Sequence, residues 1–335
     1  MELVACLAAQ ESWRHAAGSG GAVEDASIEH TYNQVLRLAN RYHRLPPIRA
    51  LAEAREVRNH AYMLLERTKR PGQMADLYLT AGQACGLLAM ASFDLAQWDA
   101  AADQIGAARA YADLVGHPSL RCWAAGTQAL IAYWTGQPRH ALTVLRSVDA
   151  AAADGVSTAR LHAIRGRAWS YLGNAEEVTG ALQAGDRAMD TTDGGNEPHE
   201  GIGGELGWGR SLHHACVGTA LLAIGHAEAA AQRIREALEV APDDPYSGLV
   251  PPRARIDLAM AELAAGRLDA AVDALGQVWD TPARYRRHGV TARLEQLGRT
   301  LQAPDWRDHR PAAELRDRIE VFVGEAVAAR ALPAA

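Results

Sequence analysis

A chain of 335 residues, 48% hydrophobic and 22% charged, has enough apolar material for a large core and room for one to three domains. Its formal net charge of −6 supplies no basic field for nucleic acid, and its four cysteines, Cys6, Cys85, Cys122 and Cys216, form no CxxC pair. Those facts exclude a zinc module or a disulfide framework as the organising device, while abundant alanine with few β-branched runs favours helices.

In chain order, residues 1–23 read as an N-terminal segment. Its opening, MELVACLAAQESW, carries an acid where a secretory leader carries a basic residue, so no leader is expected. The GSGG run at Gly18–Gly21 reads as a flexible hinge. Residues 24–73 contain two amphipathic stretches, IEHTYNQVLRLANRYHR and IRALAEAREVRNHAYMLLERT, broken at Leu45-Pro46-Pro47 and expected to cap the helices after them. No apolar run approaches the length of a membrane span, and a soluble, cytoplasmic protein is the expectation.

Residues 74–281 repeat. Small residues stand where one helix should end and the next begin: Ala96, Gly136, Gly173, Gly225 and Gly266. Five positions after each come Ala101, Ala141, Val178, Ala230 and Ala271, and nine after come Ile105, Leu145, Leu182, Ile234 and Leu275. Seven before each come Ala89, Ala129, Gly166, Gly218 and Ala259. A small residue at the turn lets the chain reverse, one seven before it lets the partner helix approach, and the aliphatic one fills the groove between hairpins. Each hairpin is amphipathic on both halves and must stack on neighbours. The expected fold is all-α: a right-handed tetratricopeptide-like (TPR-like) α-solenoid of about five hairpins. Helices in 282–335, such as YRRHGVTARLEQLGRTLQ, would cap its far end.

Several stretches resemble the C-terminal half of actinobacterial regulators that join an XRE-type helix-turn-helix head to a TPR tail. They are DLYLTAGQACGLLAMASFDLAQWDAA at 76–101, ALIAYWTGQPRHA at 129–141, GIGGELGW at 201–208 and PDDPYSGLVPPRARIDLAMAEL at 242–263. The likeness begins near residue 24, whereas such a head needs on the order of 55–70 residues. The resemblance therefore implies a sensing or partner-binding half without its own DNA reader, with no direct nucleic acid contact.

A TPR array binds on the concave face lined by the first helix of each hairpin. Counting back thirteen, ten, six, three and two from each turn gives that lining, including Met90, Phe93 and Asp94, Leu212, Ala215 and Thr219, and Arg253 and Met260. At its centre stand Trp123, Tyr133, Trp134 and Tyr171 with Arg160 and Arg167. Rigid aromatics offer contact area and arginines pair with oxyanions. The alternative is that the aromatics pack between hairpins and the arginines form a solvated face.

The interval from Gly173 to Gly225 is longer than the others, and the excess lies in TTDGGNEPHEGIGGELGW at about 191–208. It reads as a loop inserted between hairpins three and four, able to close over the groove and bring Glu205 and Trp208 near Trp169 or Tyr171. HEGIG is not HExxH, and His213 and His214 point about 100° apart on a helix, so no metal site is expected. Ser211 lacks a nucleophile elbow, and no phosphate-cradling fingerprint suggests a nucleotide or other cofactor.

The ligand-binding candidates are thus Trp123, Tyr133, Trp134, Arg160, Arg167, Tyr171, Glu205 and Trp208, with no catalytic residue assigned. They would serve a module that binds a peptide, a protein partner or a small-molecule effector, and works with another regulator in transcription or specialised metabolism. A homodimer is compatible with this, and a pure scaffold is a third reading. The alternative is an enzyme of specialised metabolism using the groove and flap, in which Glu205, His213 and His214 would do acid–base work.

Overall fold

The computed structural model describes residues 8, 11–13, 15, 23–148, 155–191, 204–244, 248 and 250–331. The GSGG hinge and most of the inserted loop, 192–203, lie outside the described residues. Fifteen helices run from Asp25 to Ala331, and no strand occurs among the described residues. Helices α1 (Asp25–Arg41) and α2 (Pro47–Arg67) come first, separated at Pro46-Pro47 as the missing proline N–H requires.

Five hairpins come next: α3 (Pro71–Asp94) with α4 (Trp98–Val115), α5 (Pro118–Trp134) with α6 (Pro138–Arg146), and α7 (Gly155–Ser170) with α8 (Ala175–Asp190). The fourth pairs α9 (Arg210–Ala223) with α10 (Ala227–Val240), and the fifth pairs α11 (Val250–Ala264) with α12 (Leu268–Ala274). Their turns share one chemistry. Ala96, Gly136, Gly173, Gly225 and Gly266 all adopt left-handed backbone, with φ from 59° to 82°. At each turn the next residue's N–H reaches back five positions to an orphan carbonyl, as Gln137 N does to Ala132 O at 2.8 Å and Arg267 N to Glu262 O at 2.8 Å. That is a Schellman closure, and glycine enters it without the Cβ penalty that Ala96 bears. The columns keyed to the turns are buried throughout, from Ala101 and Ile105 in the first hairpin to Ala271 and Leu275 in the fifth. A Cβ on Gly218 would run into Ile234, so the small column seven before the turn sets how closely the paired helices approach.

After α12 come α13 (His288–Thr300), the single turn α14 (Pro304–Arg307) and α15 (Arg310–Ala331). Leu294, Leu297, Leu315, Ile319 and Phe322 join the core of the fifth hairpin. The first helices of successive hairpins touch in order, α3 to α5 to α7 to α9 to α11 to α13, and α13 then returns to α3. His288 packs its ring 5.0 Å from Trp98 and 5.7 Å from Trp134. Just before it, Arg287 donates to the carbonyls of Tyr42 at 2.9 Å and Leu45 at 3.1 Å. The run of inner helices is thereby joined end to end into a ring around the inner face.

Candidate functional site

Helical spacing aims side chains at the enclosed centre. Arg160, Ile164 and Arg167 lie four and three apart on α7, and Arg253 and Asp257 lie four apart on α11, so each set shares one face. These faces, with those of α3, α5, α9 and α13, surround a chamber of about 110 Å³. It adjoins a groove of about 460 Å³, and Trp134, Arg167, Thr219, Asp257 and Arg293 border both. Seven of the eight sequence-derived ligand residues line the chamber: Trp123, Tyr133, Trp134, Arg160, Arg167, Glu205 and Trp208. The eighth, Tyr171, is 48% exposed and lines the groove, its ring 5.1 Å from Tyr133.

The described end of the inserted loop folds inward. Gly204–Leu206 forms a single 3₁₀ turn against the end of α1, where a Cβ on Gly204 would strike the Ala39 backbone. Leu206 is fully buried with Val35, Leu38, Ala39 and Tyr42. That anchor sets Glu205 and Trp208 in the chamber wall. Trp208 packs with Val156, Ala159, Ala163 and Met189, beside Arg160. Trp169 instead packs with hydrophobic clusters between helices, so Trp208 neighbours neither of the aromatics expected for it.

The wall is rich in arginine, and the arginines differ in their partners. Arg293 is 2.8 Å from Asp257, whose other oxygen accepts from Thr219 Oγ1 at 2.6 Å. Asp94, fully buried, takes Arg287 at 3.2 Å and Arg253 at 3.4 Å and accepts from the Tyr42 hydroxyl at 2.9 Å. Burial and the Asp94 charge hold the Tyr42 phenol well above its ordinary range, so it stays a donor. Arg160 and Arg167 have no carboxylate within ion-pairing distance among the described residues. Arg160 donates to the Trp123 carbonyl at 2.9 Å and to Thr127 Oγ1 at 2.8 Å, and its guanidinium lies 5.2 Å from the Trp123 ring. Burial pulls it down to about 10. Arg167 sits 5.5 Å from the Tyr133 ring, and its Nε has no hydrogen-bond partner among the described residues. Room for Arg160 comes from Gly126, whose missing Cβ would occupy the space of the guanidinium.

Glu205 opposes these arginines. Protein surrounds its carboxyl, although the chamber leaves part of its surface open. Burial, then the nearby Asp94 charge, push it up to about 7 against the pull of Arg253, Arg287 and Arg160. The other two conditional acid–base residues lie elsewhere. His213 turns toward α8, with Nε2 2.8 Å from Asp186, and His214 toward α10, with Nδ1 3.3 Å from Glu236. Neither lines the chamber, so Glu205 has no histidine partner there. Burial and Arg233 push His214 down to about 4. No three His, Cys, Asp or Glu side chains among the described residues come close enough to share a metal ion.

Sequence reasoning missed Arg287, Arg293, Tyr42 and Asp257. The first three belong to flanking segments read as caps, and only closure of the ring brings them to the centre. The signal available was the apolar period of α13, which continues the inner-helix pattern of the hairpins without their turn residue. Compared with known proteins, the sequence matches no family model and no curated protein.

Proposed function

We propose that this chain is a ligand-binding regulatory module of tetratricopeptide type, a right-handed hairpin array closed around a small-molecule effector. Its occupancy would be passed to a partner regulator in transcriptional or specialised-metabolism control. The observation that carries this reading is the chamber itself: six inner helices and an inserted turn converge aromatics and buried arginines on one concave space. The small volume of the chamber, about 110 Å³, favours a small molecule over a peptide. The test is a thermal-shift screen of the purified chain against a broad metabolite collection, since a ligand of the native state raises its stability. A chain that no metabolite stabilises, and that co-purifies with a stoichiometric protein, overturns the small-molecule reading.

A second reading rests on Glu205. A carboxyl held near neutrality in a chamber is suited to moving a proton at physiological pH. An enzyme would show turnover of a chamber ligand that Glu205→Gln abolishes without loss of binding. Binding without turnover decides for the sensor.

A further inference from the structure

Deepening that reading, we infer that the chamber is built for a flat apolar molecule bearing one oxyanion, a carboxylate or a phosphate, seated between Arg160 and Arg167. The inference rests on charge balance among buried groups. A guanidinium taken out of water is costly unless a counter-charge meets it. Around this centre the fold supplies that counter-charge for Arg253 and Arg287, which share Asp94, and for Arg293, which has Asp257. Arg160 and Arg167 are 6% and 7% exposed and have no carboxylate at ion-pairing distance among the described residues; Glu205 and Asp257 act on them only from farther off. The excess is therefore local to one face of α7, two turns in length.

Both arginines act on the same neighbours. The Cys216 thiol and the Tyr133 hydroxyl lie within the field of both, and Cys216 lines the chamber with them. An oxyanion lying over Cys216 would thus face two guanidiniums, each with donors in a planar fork. Two carboxyls line the chamber: Asp257 is taken up by Arg293, and Glu205, held near 7, cancels only part of the excess at neutral pH. Beyond the arginines the lining turns aromatic: Trp123, Tyr133, Trp134 and Phe93 present faces and edges suited to a ring system. A molecule too long for the chamber extends past Arg167 and Trp134 into the adjoining groove.

The experiment uses the full chain and matched probes: naphthalene-1-carboxylate, 1-naphthyl phosphate, the uncharged naphthalene-1-carboxamide, and inorganic phosphate alone. Binding is read by tryptophan fluorescence, because Trp123, Trp134 and Trp208 border the chamber, and by thermal shift. At least one ring-bearing anion should bind about tenfold or more tightly than the amide, in line with a charge-assisted hydrogen bond. Inorganic phosphate alone should bind weakly, and the stronger of the two anions identifies the oxyanion. Affinity for the carboxylate, which stays ionised throughout, should rise as pH falls from 8 to 6, as Glu205 among Asp94, Tyr42, Arg253, Arg287 and Arg160 takes up a proton. Arg167→Gln should remove the preference for anion over amide while leaving the melting temperature near that of the parent. If the amide binds as well as the anions, the inference fails and the ligand-binding reading stands. If neither anion binds, or the preference survives Arg167→Gln, the inference also fails. The metabolite screen then decides the broader reading separately.

Discussion

Arg287 and Arg167 are the same residue type at nearly the same burial, 2% and 7% exposed, yet their surroundings are opposites. Arg287 closes the ring: it donates to two backbone carbonyls of the N-terminal segment, stacks 5.0 Å from the Tyr42 ring and pairs with Asp94. Arg167 lines the chamber, rests near Tyr133 and has no carboxylate at ion-pairing distance among the described residues. Where the fold uses an inward charge for its own cohesion, it supplies a carboxylate at ion-pairing distance. A charge left without one is what the proposed oxyanion would meet, at a stability cost that the fold itself does not offset.

The comparison is broken most decisively at Arg287. Arg287→Ala leaves Asp94 fully buried with only Arg253 and Tyr42, and removes the link between α13 and the turn after α1. Loss of one partner from a buried pair costs about 3–5 kcal/mol. Urea denaturation should show a loss of that order, partly recovered in the double variant with Asp94→Asn, which removes the stranded charge. A loss below about 1 kcal/mol would mean that ring closure does not depend on this cluster.

Glu205 gives the next effect, and its sign is fixed by linkage. Its folded-state value, about 7, lies above its ordinary value of 4.5, so the native state holds the proton more tightly than the unfolded chain does. Its contribution is therefore fully present below 4.5 and is lost as pH rises to about 7. Glu205→Gln should flatten that slope and gain on the order of 1–3 kcal/mol at pH 8. Chemical denaturation of both proteins at pH 5 and pH 8 separates the two cases. Equal slopes would place the Glu205 titration at its ordinary value.

How much of the fold and the chamber was legible in the sequence depends on the kind of signal each part leaves. The five turns were readable because a left-handed backbone position selects glycine, or a small substitute such as Ala96, at a fixed spacing from buried aliphatics. From those turns the inner face came by counting, which is why Trp123, Trp134, Arg160 and Arg167 were found together. Ring closure left no such mark. It depends on small rotations accumulated between hairpins, so Tyr42, Arg287 and Arg293 looked like residues of two unrelated caps. His213 and His214 show the converse case. Their density in sequence is a signal of chemistry, but adjacent helical positions send them to α8 and α10, where His213 lies 2.8 Å from Asp186 and His214 3.3 Å from Glu236.

Gly126 links the two regimes at lower cost. An alanine Cβ there would enter the space of the Arg160 guanidinium, the far end of a side chain that can move. Replacing a helical glycine with alanine recovers about 1 kcal/mol of helix propensity, which offsets the displacement. Gly126→Ala should therefore fold with a stability change within about 1 kcal/mol, while the displaced guanidinium weakens anion binding. A gain in anion affinity would show that Arg160 binds better from another position.

The smallest stability effect is expected at Arg167, and its smallness sharpens the contrast with Arg287. Arg167→Gln keeps much of the side chain's length and its capacity to donate near Cys216, and it deletes a buried charge without stranding a partner. Replacing such a charge is often neutral or stabilising, so the change should stay within about 1 kcal/mol and lean toward gain. A structural arginine would behave otherwise: its removal would lower stability as Arg287→Ala does, whatever the ligand. Measuring both variants in the same urea series, with and without naphthalene-1-carboxylate, tests this directly. Ligand stabilisation lost in Arg167→Gln at unchanged intrinsic stability marks a site residue. A loss of several kcal/mol without ligand would place Arg167 with Arg287 among the residues that hold the ring together.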